Sequence, residues 1–388
     1  MKLVKVLYGN WDLETRDKRE IATVLELGYD VEIICTGYNG KDDRFKNCKF
    51  KIRKSPDFSK MTNKMLRHIK MLGFFISFEK TIRKTNADII SAHDIWALGV
   101  SYLASKRMKN NPLLVYDSHE FELGRNTSRG KLMGLLIKVL EGFLIKRCAG
   151  SIMVNESIAQ EVKRIYKLDK LPQVVRNIAN YWDIDKEVCS QKREELCAML
   201  GADTGTFLIM YHGAIMKNRG IETFIKIFSV NSQVKGVILG NGEKNYVESL
   251  KALAKQERVC ERILFLPAVE YTELWKYVGA VDVGMVTIPN ACQSYFYALP
   301  NKLFENVQGL TPVIGSDFPE IKKIVEAYKV GMVCNPDDLS QINECIEIMR
   351  NDKQKYEEYK RNLEKAKQEL CWEREKDKLK YFYRILSK

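Results

Sequence analysis

The sequence predicts an α/β protein made of two halves, each a parallel sheet wound with helices on both faces. The 388 residues are enough for about two domains. An apolar fraction of 45% is sufficient for ordinary hydrophobic cores. Short runs rich in Val, Ile and Leu alternate along the chain with stretches of helix length, and this spacing is typical of parallel βαβ units.

The first half opens with one complete βα unit. The run LVKVL at 3–7 predicts a buried strand, a helix is predicted over 15–27, and a second strand over 31–35. Open sheets bind ligands at the carboxyl ends of their strands. Asn10, in the loop after the first strand, is therefore a candidate ligand contact.

Two histidine motifs follow later strands of this half. SAHD contains His93 and Asp94, and DSHE contains His119 and Glu120. Both motifs are predicted to lie at the ligand-binding edge of the sheet, so all four side chains are candidate contacts. Two histidine–carboxylate pairs could also hold a metal, but the HExxH type of spacing is absent and no metal is predicted.

The second half begins with a strand at 207–212 and the loop GAIMKNRG, which leads into a helix near Gly220. A glycine loop with basic residues before a helix N-terminus suits a pyrophosphate. Gly213, Lys217 and Arg219 are therefore candidate residues for binding a pyrophosphate. Arg219 offers a bidentate donor to phosphate, and Lys217 offers a point charge.

The stretch 293–313 is predicted to form a tight loop, a short helix starting near Pro300, and then a strand. Proline suits the first helical turn, and Gly309 suits the position just past the end. A helix N-terminus at the edge of a parallel sheet can bind an anion. Glu305 is then placed to accept hydrogen bonds from a diol such as a ribose, the alternative being a solvated helix carboxylate.

This stretch resembles a known signature. PNKLFE, followed by Gly309 and TPVIGSDFPEI, resembles the C-terminal signature of the retaining glycosyltransferases of family 4. ADIISAHDIWAL and LVYDSHEF are similar to paired segments of that family. The resemblance implies the GT-B fold, in which two Rossmann-like domains face a central cleft and the last helix crosses back to the first domain. The expected segments are 1–180 for the acceptor, 181–365 for the nucleotide-sugar, and 366–388 for the crossing helix.

The resemblance also implies roles for individual residues. Glu305 would hold the ribose of the nucleotide, and Asn301 and Lys302 would lie near the diphosphate or the sugar. His119 would be the catalytic residue that contacts the donor sugar. Tyr297 stands where the family usually has a glutamate beside that sugar, so the glutamate contact does not carry over. Tyr297 stays a candidate contact of the sugar or the acceptor, as do Asn10, His93, Asp94 and Glu120. Gly213, Lys217 and Arg219 would bind the nucleotide-sugar donor.

The implied reaction is transfer of a sugar from a nucleotide diphosphate donor, with a UDP or GDP base, to a saccharide or lipid-linked acceptor with retention. It would need no metal or other cofactor, and it would serve the biosynthesis of a bacterial surface polysaccharide. Two alternatives stay open. One is a nucleotide-sugar epimerase of the same fold. The other is a non-catalytic partner subunit, which is favoured by Tyr297 and by Ala214, where the family often has arginine.

The net charge of +13 calls for a partner. The basic residues are spread along the chain and no nucleic-acid module is recognised, so no nucleic-acid partner is expected. Two basic amphipathic stretches, 64–84 and 131–147, could lie on an anionic membrane surface or pack on the sheet. The ten cysteines form no C-x-x-C pair, which suits a reduced cytosol. With no signal peptide or spanning run recognised, the expected location is cytoplasmic, peripheral at the inner face of the plasma membrane.

Overall fold

The fold is described from a computed structural model, which covers residues 1–57, 63–125 and 130–387, with only the backbone of Lys131. The chain forms two compact units. The first unit is Met1–Arg176 together with the residues from Lys376 onward, and the second is Asn177–Glu375. The borders predicted from the sequence, at 180 and 366, can be compared with these.

The first unit is built on a seven-stranded parallel sheet in the order β3-β2-β1-β4-β5-β6-β7. Five helices connect its strands. The strands are β1 Lys2–Val6, β2 Asp30–Cys35, β3 Lys49–Ile52, β4 Ile89–His93, β5 Leu113–Ser118, β6 Gly150–Met153 and β7 Gln173–Val174. The helices are α1 Thr15–Glu26, α2 Lys64–Arg83, α3 Asp94–Ser105, α4 Lys131–Ile145 and α5 Glu156–Tyr166.

The central strands of this sheet are apolar on both faces because helices cover both. In β1, Leu3 lies in register with Val31 of β2 on one side and with Ile89 of β4 on the other. All three side chains are fully buried. Continuous apolar runs of this kind are expected in parallel sheets that are buried on both faces. Lys5 is the one buried lysine of β1, and its role is described with the candidate site.

The second unit carries a six-stranded parallel sheet in the order β10-β9-β8-β11-β12-β13. The strands are β8 Phe207–His212, β9 Val234–Leu239, β10 Ile263–Leu266, β11 Val283–Val286, β12 Val313–Ser316 and β13 Gly331–Cys334. The helices are α6 Lys186–Met199, α7 Ile221–Val230, α8 Lys244–Gln256, α9 Leu274–Val278, α10 Gln293–Phe296, α11 Asn301–Gln308, α12 Pro319–Tyr328, α13 Leu339–Asn351 and α14 Lys353–Glu369.

Apolar cores lie on both faces of this second sheet. On one face, Phe224 and Phe228 of α7 pack with Ile346 of α13. On the other, Leu196 of α6 packs with Val278 of α9. The predicted α/β class and the two Rossmann-like units are thereby confirmed.

Helix α15, Trp372–Leu386, returns to the first unit as predicted. Lys376 and Lys380 form ion pairs with Glu26 of α1 at 3.0 and 2.7 Å. The ring of Phe382 lies so close to Gly150 that a Cβ there would be 2.7 Å from it. Glycine at the start of β6 therefore makes room for the returning helix.

Three local details differ from the sequence prediction. The segment expected as a tight loop before Pro300 contains the one-turn helix α10. Pro300 caps α11 from outside with an extended backbone, and does not occupy its first turn. His93 is the last residue of β4 and does not follow the strand. Among the described residues, no helix is long and apolar enough to cross a bilayer.

A buried carboxyl group joins α4 to the sheet. Glu141 accepts hydrogen bonds from the Tyr116 hydroxyl at 2.8 Å and from the Tyr166 hydroxyl at 2.6 Å. Burial raises the pKa of Glu141 to about 7, although both tyrosine hydrogen bonds act in the opposite direction. The folded first unit therefore holds this carboxyl protonated over a pH range in which an unfolded chain would release the proton.

This raised pKa predicts a pH dependence of stability. The stabilising contribution is complete below the ordinary glutamate pKa and is lost as pH rises through about 7. Relative to Glu141→Gln, whose amide stays neutral, the wild-type free energy of unfolding should fall by at most about 3 kcal/mol between pH 4.5 and 7. Denaturant titrations at several pH values measure this difference. Glu326→Gln, on the exposed surface of α12, is the control, and an identical pH profile for wild type and Glu141→Gln would contradict the prediction.

Candidate functional site

The candidate site of the second unit is built from loops at the carboxyl edge of its sheet. Gly220, with φ +78°, lies so near the Thr287 carbonyl that a Cβ would be 2.1 Å from that oxygen. A Cβ at Gly240 would be 1.9 Å from the Gly213 carbonyl oxygen. Only glycine allows these close approaches. The loops after β8, β9 and β11 are therefore held in contact.

Two basic side chains, Lys302 and Arg219, lie at this edge of the sheet. Lys302, in the first turn of α11, is buried, and its Nζ lies 4.0 Å from the centroid of the Tyr211 ring. The Arg219 guanidinium lies 4.9 Å from the Tyr295 ring centroid. Within the described residues, Lys302 Nζ and Arg219 Nε are buried and have no hydrogen-bond partner. Buried polar groups are normally satisfied, so these two donors indicate a missing acceptor.

The electrostatics of Lys302 support the same interpretation. Burial and the nearby Arg219 cation together lower the pKa of Lys302 to about 7, while Glu305 acts in the opposite direction. The helix α11 adds the positive end of its dipole, and no side chain caps its N-terminus. An anion bound here would restore the charge of the lysine and accept from the unpartnered donors.

Glu305 faces a residue that the sequence had not singled out. Its Oε2 lies 2.9 Å from Nε2 of His212, which is the last residue of β8 and is 2% exposed. The Nδ1 of His212 has no partner among the described residues. His212 therefore orients the Glu305 carboxylate and leaves its other oxygen available to a ligand.

The remaining predicted donor-binding residues lie on the surface of the same loops. Lys217 and Asn301 are exposed, and Gly213 has φ +118° in open space. The N–H of Gly213 donates to the Leu239 carbonyl at 3.0 Å, so Gly213 contributes backbone shape and not a free donor. Tyr297, half-buried, ends α10 with its ring beside Phe296.

A groove of about 340 Å³ adjoins the loop after β9. Asn241 and Gly242 line it, together with Phe265 near the end of β10. Its lining also includes Gly240, which lies against the Gly213 carbonyl.

The first unit has its own cluster at the carboxyl edge, centred on a buried lysine. Lys5 Nζ lies 2.7 Å from Asp17 and 2.5 Å from Asp117. It also lies 3.3 Å from Glu20, while Arg16 pairs with Glu20 at 2.8 Å. Burial and the Asp117 charge together raise the pKa of Glu20 to about 8. In this cluster the carboxylates of Asp17 and Asp117 both contact the ammonium group of Lys5.

The two predicted histidines stack on this cluster. The ring centroids of His93 and His119 are 3.7 Å apart. Burial alone would lower the pKa of His93, but the Asp17 carboxylate at 2.7 Å from its Nδ1 raises it to about 9. Burial and the neighbouring His93 lower the pKa of His119. At neutral pH the structure therefore pairs a cationic His93 with a neutral His119.

Asp94 and Arg125 hold the loop that carries His119. Asp94, with a left-handed φ of +62°, accepts from the His119 N–H at 3.2 Å. Arg125 donates to Asp94 at 3.0 Å and to Glu120 at 2.9 Å. A non-glycine residue in this backbone region stores strain, a frequent feature of functional sites. Glu120 is exposed, and the exposed Asn10 accepts from the Asp12 N–H at 3.1 Å in a short turn.

The acidic and histidine side chains here are close enough to hold a metal. The two possible groups are Asp17 with His93 and His119, and Asp17 with Glu20, Asp117 and His119. The ammonium of Lys5 already lies between the carboxylates, and the cationic His93 offers no lone pair at its Nδ1. Most of the groups that could bind a metal are therefore already paired with cations of the chain itself.

Two families match the chain. The family described as Glycosyltransferase Family 4 matches residues 21–180, and that described as Glycosyl transferases group 1 matches residues 192–367. These ranges contain His93 and His119 in the first unit, and Arg219 and Glu305 in the second. Each range falls within one of the two units of the structure, apart from the last residues of the first range.

A protein of known activity and many solved structures are similar to the chain. An O-antigen chain mannosyltransferase of Salmonella typhimurium is 23% identical over 231 residues, which span 60% of this chain and only 58% of that relative. HepE of Anabaena, solved with UDP and glucose, has a TM-score of 0.74 at 15% identity, covering 100% of this chain and 99% of its own. Sucrose-phosphate synthase of Thermosynechococcus elongatus has a TM-score of 0.78 at 14% identity, with the same coverage.

Proposed function

Because the chain belongs to the family 4 glycosyltransferases with the GT-B fold, we propose that it moves a sugar from a nucleoside diphosphate donor to a saccharide or lipid-linked acceptor. The observation that carries the proposal is the pair of buried, unpartnered cationic donors, Lys302 and Arg219, beside Glu305. A diphosphate supplies the acceptors that these donors lack. A ribose diol suits the carboxylate that His212 orients.

Each part of the donor is assigned to the residues whose charge complements it. Lys302 and Arg219, with Lys217 and the N-terminus of α11 at Asn301, bind the diphosphate. Glu305 accepts from the ribose hydroxyls. The groove beside Phe265 receives the base, and UDP, which is bound by HepE, is the first nucleotide to test.

The chemistry then follows from where charge develops. The bond between the anomeric carbon and the diphosphate oxygen breaks, and a bond to the acceptor hydroxyl oxygen forms with retention at that carbon. The acceptor hydroxyl gives its proton to the departing diphosphate oxygen. Negative charge grows on the departing diphosphate, where Lys302 and Arg219 stabilise it. His119, neutral and held by Asp94 and Asp117, orients the reacting sugar through its hydroxyl groups.

The reaction is proposed to need no metal. In the second unit, side-chain cations take the role that a divalent ion has in other enzymes that transfer groups from nucleotides. In the first unit, Lys5, Arg16 and the cationic His93 balance the charges of Asp17 and Asp117. Transfer is therefore expected to persist in excess EDTA.

The biological setting is proposed from the similar O-antigen mannosyltransferase. We place this enzyme in the biosynthesis of a bacterial surface polysaccharide, in the cytoplasm at the inner face of the plasma membrane. Tyr297 and Ala214 depart from the family pattern and favour, as the second candidate, a partner subunit that binds nucleotide without turnover.

A thermal-shift screen of nucleoside diphosphates and their sugars tests the donor site. A ligand at a hundred times its Kd stabilises the native state by about 2.7 kcal/mol. For units of this size that should raise the Tm by several degrees. We expect a rise with one base, and its loss in Glu305→Ala.

The matched control is Glu326→Ala, which removes an exposed helix carboxylate elsewhere in the second unit. It should respond to nucleotide as wild type does. If no nucleotide stabilises the folded wild type, the proposed donor site is wrong. Stabilisation without glycoside formation on any saccharide or lipid-linked acceptor would instead favour the partner subunit, and release of a free epimerised sugar nucleotide would favour the epimerase.

A further inference from the structure

Helix α2 carries two apolar faces that point in different directions. Phe74, Phe78 and Ile82 are buried against the first unit. A second stripe is exposed, with 44% to 71% of each side chain accessible, and consists of Met65, Ile69, Leu72 and Ile76. At 100° per residue the two faces are roughly 150° apart. The exposed stripe therefore points away from the sheet, and every residue from Lys64 to Gly73 is exposed.

Helix α4 repeats the arrangement. Ile137, Glu141 and Leu144 are buried beneath it. An exposed stripe with the same spacing, between 43% and 73% accessible, consists of Leu132, Leu136, Val139 and Phe143. With the neighbours of these stripes, each helix exposes six large apolar side chains, and two such helices are unusual for a protein surface.

The topology places the two stripes on one surface. The connections that contain α2, α3 and α4 all lead in the same direction across the sheet, from β3 to β4, β5 and β6. Right-handed crossovers therefore put the three helices on the same face, with α3 between the other two. Crossover helices begin at the carboxyl ends of the strands, so the stripes start at the edge that carries His93 and His119.

The charge of this surface selects its partner. The exposed cations on and just after the two helices are Lys64, Arg67, Lys70, Lys80, Arg83, Lys84, Lys138, Lys146 and Arg147. The acidic side chains of α2 and α4 are Glu79 and Glu141, and both are buried. Apart from Lys131, whose side chain is outside the description, the two helices thus expose cations and apolar groups but no carboxylate. A second copy of the chain would bring like charges together, whereas an anionic bilayer supplies the opposite charge and an apolar interior.

We propose that α2 and α4 dock the first unit onto an anionic membrane, with Ile69 and Leu136 among the side chains that enter the interface. The surface starts at the edge of the sheet where the candidate sugar contacts lie. Resting on the proposed function, this position assigns the acceptor to the lipid-linked class, because such a substrate is presented at the same membrane.

Flotation with lipid vesicles tests the docking surface in the absence of donor and acceptor. Wild type should float with vesicles containing phosphatidylglycerol, much less with phosphatidylcholine alone, and less as salt increases. Ile69→Glu/Leu136→Glu should lower the bound fraction by roughly tenfold or more. Met199→Glu/Val230→Glu, which changes two equally exposed apolar residues of the second unit, should float like wild type.

Two outcomes would overturn the inference. One is wild type that stays in solution with anionic vesicles at low salt. The other is a lipid-free dimer, seen by light scattering, that Ile69→Glu/Leu136→Glu dissociates. Nucleotide-induced thermal shifts on the same proteins separate this inference from the proposed function. Wild type that binds nucleotide but does not float contradicts only the docking surface, and wild type that floats but binds no nucleotide contradicts only the donor site.

Discussion

Replacing Lys302 by Met and Arg219 by Gln in one chain is expected to lower the rate of sugar transfer by about 10³-fold or more. Both side chains face the place where the leaving diphosphate gains charge, and each is worth about 10²-fold or more in a site that excludes water. Methionine fills the space of the lysine stem over Tyr211 without a buried ammonium group. The Tm without ligand should therefore not fall, which separates lost catalysis from lost folding.

The pKa of Lys302 provides a second measurement on the same variants. A bound diphosphate favours the charged lysine and raises its pKa above the value of about 7 in the free protein. Binding then takes up a proton, so the Kd for nucleoside diphosphate should rise by up to about tenfold per pH unit above pH 7. Isothermal titration calorimetry in buffers of different ionisation enthalpy measures the proton uptake, which should vanish in Lys302→Met.

Lys226→Met is the control for loss of a positive charge from the same unit, because Lys226 is exposed on α7. Its transfer rate and its pH profile should match wild type. If the double variant retained more than about a tenth of wild-type activity, the two cations would not stabilise the leaving group. The anion site would then serve binding alone.

The sequence allowed the two sheets and the anion-binding loops to be predicted because both depend on local patterns. The alternation of apolar runs with helical stretches predicts parallel sheets, and parallel sheets place their loops at one edge. Position 220 requires glycine because its φ is positive and a carbonyl lies close to it. In the sequence this requirement appears as two glycines, at 213 and 220, that bracket the loop. Arg219 was a candidate because it lies in such a loop, and Lys302 was a candidate because its segment resembles the family signature.

The partners of these residues were not predictable in the same way. His212 meets Glu305 across 93 residues of sequence, and Lys5 meets Asp117 across 112. Pairs so distant leave no periodicity in a single sequence. The one local indication was a lysine inside an otherwise apolar strand, because a buried ammonium requires nearby carboxylates. In the same way, the exposed stripe of α2 was visible as a pattern, but which of its two apolar faces met the core depended on the packed structure.

His119→Asn is expected to lower the transfer rate by about 10²-fold, while the nucleotide-induced thermal shift stays unchanged. Asparagine keeps a short polar side chain that can hydrogen-bond to Asp117, so the loop held by Asp94 should keep its position. What is lost is the neutral imidazole that orients the sugar. The proposed site of the donor nucleotide lies in the second unit, so its affinity should not depend on this change.

Changing the charge of His93 tests whether His119 acts on the sugar or has only a structural role. In the wild type, His119 should titrate below the ordinary histidine range, because burial and the charge of His93 both lower its pKa. In His93→Gln that charge is absent, so the pKa of His119 should rise. When the pH is lowered, this variant should therefore lose activity at a higher pH than wild type does. The chain has four histidines, so NMR of the imidazole nitrogens can follow each one.

The comparison of the two variants decides what His119 does. If His119 acts on the sugar as a neutral group, the low-pH limb of the rate profile must move with its NMR titration in His93→Gln, and the limb must disappear in His119→Asn. A limb that moves in neither variant would assign the pH dependence to another group. His119 would then only shape the edge of the sheet, and the stack of a cationic and a neutral imidazole would be a packing arrangement around Asp17 and Lys5.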